Sequence, residues 1–180
     1  MFKRNSLDKV AQSLLTALKT SGDKRLAPLC AEYSVASKLL QKGHDPQVLQ
    51  KRRGPDIYLK DIEKYIEVKS GHSDLSDWGC GASFGKGNSI KNREFDYCVF
   101  VVFSKLKPSE FLVFTVEELR EIAENPRPKP YTVFPNNPCV LFRSSSLEEY
   151  KENLDEHTLG IELKLHRYPE QFRDRWDKIE

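Results

Sequence analysis

The run Tyr97-Cys98-Val99-Phe100-Val101-Val102-Phe103 constrains the fold more than any other stretch. It is apolar throughout, without the alternation of a strand that keeps one face in water, and suits a central strand buried on both faces. Such a strand needs neighbouring strands and helices packed against the sheet. The chain can supply that cover. Its 180 residues are 38% hydrophobic and 31% charged, enough for one core under a wet surface and too few for two comfortable domains. Mixed charges and plentiful aromatics exclude disorder by composition. The expectation is therefore a single domain over residues 1–180.

The periodicity elsewhere fits this picture. Ser6 can cap a first helix, with Leu7, Val10, Leu14 and Leu18 on one stripe. A second helix is expected from about Pro28 to Lys42, with Val35, Ala36, Leu39 and Leu40 facing inward and Gly43 as its stop. Glu32 lies three and four residues before Val35 and Ala36, which puts a carboxylate at one end of the buried face. Two alternating segments follow, Asp56 to Leu59 and Tyr65 to Lys69, joined by polar residues as in a hairpin. The glycine-rich stretch from Trp78 to Gly87 reads as a loop. Phe111 to Thr115 reads as a strand, and Thr115 with Glu118 forms a capping box for a helix to about Asn125. Asn125 to Pro138 reads as an extended surface loop, and Cys139 to Phe142 as a short strand. Ser146 with Glu149 caps another helix, Ile161 to Leu165 is a last strand, and Pro169 opens a final helix containing Trp176. The sum is a mixed α/β (α+β) domain with one sheet covered by helices.

Chemistry concentrates at Gly54-Pro55-Asp56 and Glu67-Val68-Lys69. A hairpin turn centred on Asp61 and Ile62 sets Asp56 across from Glu67, with Cβ atoms about 4.5–5.5 Å apart. Glu67 and Lys69 are two apart and share a face, while Ile66 and Val68 point to the other. Carboxylates placed opposite one another repel unless something neutralises them, and a metal ion would do so. Hard cations take oxygen ligands. Phosphodiester hydrolysis needs such an ion to polarise the phosphate and activate a water, and a nearby ammonium can orient that water and offset developing charge. The triplet alone is cheap: Glu149-Tyr150-Lys151 and Glu162-Leu163-Lys164 repeat it. Only the first has an Asp on a preceding strand and a carboxylate-bearing helix before that. The bland reading of the same residues is an exposed hairpin with charged outer positions.

This arrangement resembles the PD-(D/E)xK nuclease superfamily, the restriction-endonuclease-like fold, over residues 28–125, with 126–180 as elaboration. The resemblance implies a helix, a three-stranded antiparallel meander, a helix and one more strand in a mixed central sheet flanked by helices. The helix would be Pro28 to Lys42, and the meander Asp56 to Leu59, Tyr65 to Lys69 and Tyr97 to Phe103. It implies Asp56 and Glu67 as metal ligands, with the Val68 carbonyl completing the shell and Lys69 positioning or activating the water. Glu32 matches the helix carboxylate that many members add. The strand at Phe111 to Thr115 departs from the pattern, because a long helix often follows the third strand. The implied activity is a magnesium-dependent endonuclease acting on DNA, with manganese as a substitute ion. A restriction enzyme is one form of it and a repair or junction nuclease another. The alternatives from other classes are a non-catalytic nucleic-acid-binding module of the same fold and a protein-interaction domain.

Partner signals are local. Net charge is only +2, and binding follows local rather than total charge. Lys51, Arg52 and Arg53 precede the Asp56 strand and can contact phosphates, or be a solvated basic loop. Ser70 follows Lys69, and Lys86 and Lys91 lie in or after the glycine-rich stretch, where Trp78 or Phe84 can stack on a base. Gly85-Lys86 is not followed by Ser or Thr, so a phosphate-cradling P-loop is not expected. The four histidines have no metal-ligand spacing. The four cysteines lie far apart without a CxxC pair, which argues against structural zinc and fits a reducing cytoplasm. No apolar run reaches the ~20 residues of a membrane span. Met1 to Leu18 reads as an amphipathic helix, not a signal peptide. Cutting both strands of a duplex would suit a homodimer.

Overall fold

A computed structural model of the protein describes residues 2–50, 54–72, 80–83, 94–104, 106–124, 127–128, 139–142, 162–165 and 172–180. Helix α1 spans Phe2–Ser21 and α2 spans Ala27–Gln41. Helix α1 starts before Ser6, because Phe2 to Asn5 contains neither Gly nor Pro to stop it. Pro28 sits in the first turn of α2, where its missing N–H costs nothing. The end of α2 is a Schellman motif. Gly43 takes φ +102°, its N–H donates to the Leu40 carbonyl, and the His44 N–H donates to the Leu39 carbonyl. The Ser37 hydroxyl donates to the Asp8 carboxylate and ties α2 to α1.

Among the described residues, nine strands form two sheets. Strands β1 (Pro46–Val48), β2 (Ile57–Leu59), β3 (Lys64–His72), β5 (Tyr97–Ser104) and β6 (Lys107–Thr115) form a mixed five-stranded sheet in the order β1-β2-β3-β5-β6. Strands β4 (Cys80–Ser83), β7 (Arg127–Pro128), β8 (Cys139–Phe142) and β9 (Glu162–Leu165) form a second sheet in the order β4-β9-β8-β7. Helix α3 (Val116–Glu124) follows β6 and starts on the expected capping box. There the Thr115 N–H donates to Glu118 Oε2 at 2.9 Å, and the Glu118 N–H donates to Thr115 Oγ1 at 3.1 Å.

The hairpin register is the expected one. Ile57 pairs with Ile66, Tyr58 with Tyr65 and Leu59 with Lys64, about a turn at Lys60 to Glu63. The pairing of Tyr97 to Phe103 differs from the expectation. That segment does not close an antiparallel meander with β3; it runs parallel to it, with Glu67 beside Cys98 and Lys69 beside Phe100. The antiparallel meander is β1-β2-β3 instead. A parallel neighbour needs a long crossover, and residues 73–96 supply one. Strand β1, three residues opening on a proline, is not signalled by the sequence pattern. Cys80 to Ser83 fall within the expected loop but form β4.

Both faces of β5 are covered. On one face Val99, Val101 and Phe103 join Ile57, Leu59, Ile66 and Val68 in a cluster with Leu18, Cys30, Val35, Ala36 and Leu39 of the helices. On the other, Cys98, Phe100 and Val102 are equally buried, and Phe114 stacks on Phe172 at 4.3 Å. The final helix expected from Pro169 is absent at Trp176, where a 3-10 turn covers only Trp176–Lys178. Asp174 at φ +51° interrupts helical geometry, and its N–H donates to the Phe111 carbonyl at 2.8 Å. This segment therefore edges β6 and packs Trp176 into the first cluster. The helix expected after Ser146 lies outside the described residues.

Candidate active site

The site begins where β2 and β3 part. The Asp56 N–H donates to the Ile66 carbonyl at 3.0 Å, one residue off the Ile57–Ile66 pairing of the ladder. One step on, the Val68 N–H has no β2 backbone partner of that kind and donates to Asp56 Oδ2 at 2.7 Å. A strand residue points its N–H and C=O to the same side, so the Val68 carbonyl faces the side that carries the Asp56 carboxylate. On β3, Glu67 and Lys69 share a face, and the Lys69 ammonium donates to Glu67 Oε1. Both are largely enclosed, with 12% of the Glu67 and 24% of the Lys69 side chain exposed. Cys98, beside Glu67, is fully buried on that same side.

The charges act on one another. Burial raises the Glu67 carboxyl, Lys69 opposes that rise, and Asp56 adds to it. Burial raises Asp56 as well, against the Val68 hydrogen bond and the Lys69 charge. Burial disfavours the Lys69 ammonium, but the charge and hydrogen bond of Glu67 more than offset this, so its pKa stands above the ordinary value. Glu32 on α2 belongs to the same field. Burial, then the Asp56 and Glu67 charges, push it up to about 7, with Lys69 in partial relief. Burial holds the Cys98 thiol far above its usual range, so it is an inert neighbour rather than a nucleophile.

Three carboxylates against one ammonium leave two negative charges in excess when all are ionised. A divalent cation would cancel that excess, and carboxylate and carbonyl oxygens are the donors that hard cations prefer. The donor set therefore fits magnesium or manganese in kind. Among the described residues no three His, Cys, Asp or Glu side chains converge as they stand on one point that would hold an ion. The Glu67 carboxylate is turned to Lys69 and that of Asp56 to the Val68 amide.

Asp56, Glu67, Lys69, Val68 and Glu32 are thus brought into one electrostatic cluster. Ser70 alternates onto the Ile66 and Val68 face, away from the Glu67 and Lys69 side chains. Lys51, Arg52, Arg53, Lys86 and Lys91, with Trp78 and Phe84, lie outside the described residues. His44 binds Asp61 at 2.8 Å and clasps the hairpin turn. A pair of tyrosines not expected from the sequence lies beside the site. Tyr58 and Tyr65 are cross-strand partners with ring centroids 4.9 Å apart. Their parity was the available signal, since Tyr58 lies two residues after Asp56 and Tyr65 two before Glu67.

No family model matches the sequence, and no curated protein matches it. Among solved structures, a bacterial homing endonuclease is similar at 17% identity and a TM-score of 0.41, over 53% of this chain and 70% of that one. A likeness at that level is a partial overlay of strands and helices, so the functional reading rests on the site itself. No helix among the described residues is long and apolar enough to cross a membrane.

Proposed function

We propose that the protein is a metal-dependent nuclease of the PD-(D/E)xK kind that hydrolyses phosphodiester bonds in DNA. The observation that carries this reading is the enclosed cluster of Asp56, Glu67, Lys69 and Glu32 beside the Val68 carbonyl. The order of elements supports it: helix α2, the meander β1-β2-β3, a crossover and the parallel strand β5.

Asp56, Glu67 and the Val68 carbonyl, with Glu32 beside them, are the groups that would hold magnesium, or manganese in its place. When bound, the ion supplies a polarised phosphate and a more acidic attacking water. Lys69 stays protonated beside Glu67, so its part is to donate hydrogen bonds to the attacking water and to oxygens gaining negative charge. Without the ion, burial and the Asp56 and Glu67 charges hold the Glu32 carboxyl up to about 7; a cation bound at Asp56 and Glu67 would draw it down and make Glu32 a further carboxylate toward the ion. The enclosed walls around Glu67 and Lys69 strengthen these interactions by keeping bulk water out.

The test is incubation with supercoiled, linear and single-stranded DNA, with magnesium, manganese or chelator. Cutting that requires metal and falls at least 100-fold in Asp56→Ala and in Lys69→Ala is the expected result. Metal-independent cutting, or full activity in either variant, overturns it. Salt-sensitive binding without cutting would instead identify a nucleic-acid-binding module.

A further inference from the structure

We infer that Tyr58 and Tyr65 form a stacking platform for an unpaired base next to the phosphate held at Asp56, Glu67 and Lys69. The substrate class is then nucleic acid with a single-stranded or splayed nucleotide at the cleavage position. This rests on the nuclease reading above and narrows it. Tyr65 is 40% exposed and is the one exposed large hydrophobic residue among those described, on a sheet whose other aromatics are buried or half-buried. Its place is specific. Two residues along a strand is about 6.8 Å, so Tyr65 stands one pleat from Glu67 on the same face of β3, and its cross-strand partner Tyr58 follows Asp56 by two residues. The two rings lie 4.9 Å apart at 32°, a tilted pair of which Tyr65 is the member open to solvent. Outside the pair, the row runs to the exposed Gln47 of β1, the edge strand of this sheet among the described residues.

A cross-strand aromatic pair can serve hairpin stability alone. Two features go beyond that role: the exposure of Tyr65, and its place one pleat from Glu67 on the face that carries Glu67 and Lys69. A duplex hides its base faces within the stack, so an aromatic surface can meet a base only where the strand is single or the base has swung out. Stacking of that kind contributes about 1–3 kcal/mol per base, whatever the base.

The test separates binding from cutting. A fluorescent oligothymidylate and a duplex of equal length are titrated with the full chain, with calcium in place of magnesium, and anisotropy is read. Tyr65→Leu keeps apolar bulk and removes the ring; it should weaken single-strand affinity by about 5- to 150-fold and lower the ratio of single-strand to duplex affinity. Tyr65→Phe should stay within about twofold of wild type, since the ring face remains. Tyr58→Leu repeats the test on the partner ring, and a thermal melt of each variant confirms the folded state. Single-strand affinity unchanged in both folded leucine variants overturns the platform. So does an equal loss on duplex and single strand, or a wild-type protein that binds no oligothymidylate. If wild type binds the oligonucleotide through these rings yet cuts nothing with magnesium, the nuclease reading fails while the platform stands.

Discussion

Glu32→Gln probes the shared electrostatic field most directly. Burial first, then the charges of Asp56 and Glu67, raise the Glu32 carboxyl from 4.5 to about 7, and Lys69 relieves this in part. A carboxyl with a higher pKa in the folded chain binds its proton more tightly there than in the unfolded chain. The stability it contributes is complete below the unfolded pKa of 4.5 and is lost as pH rises through about 7. The full displacement corresponds to roughly 3 kcal/mol at 1.36 kcal/mol for each tenfold step. Glu32 is only half-buried, and solvent screening brings that to about 2 kcal/mol. Glutamine keeps the shape and the neutral state at every pH. In metal-free urea unfolding, Glu32→Gln should therefore exceed wild type by about 2 kcal/mol near pH 8, with the gap closing by about pH 5. Equal stability at pH 8, or a difference that does not change with pH, would show that Glu32 does not share a field with Asp56 and Glu67.

Lys69→Met leaves the enclosed Glu67 without its partner. It should cost about 3 kcal/mol near pH 8, and less near pH 5 as the carboxylates take up protons, read by urea titration at both values. Magnesium at about 100 times its Kd should stabilise wild type by roughly 2.7 kcal/mol. That gain should disappear in the Asp56→Asn, Glu67→Gln double variant, as scanning fluorimetry will show. Gly43→Ala places a Cβ where nothing lies within 4 Å but φ is +102°, so the cost is conformational alone. A loss of about 1 kcal/mol in a circular-dichroism melt is expected.

Several features are legible in the local sequence. The Thr115 and Glu118 capping box needs only a three-residue spacing, and it forms. The hairpin register follows from a short turn and from alternation that hides Ile57 and Ile66 together. The unbroken apolar run at Tyr97 signalled cover on both faces, because neither face of that strand can meet water. Its direction was not legible. Antiparallel and parallel neighbours ask for the same side chains here, and only the crossover chooses between them. Likewise no periodicity could tell that Asp174 breaks the last segment so that Trp176 docks beneath β6, because the Asp174 N–H donates to the carbonyl of Phe111, far away in sequence. The chain by itself determined which acids and which amine can share a β-face. Only the folded molecule decided that Glu32 acts within their field, since that depends on how α2 seats against the sheet and how much water it displaces.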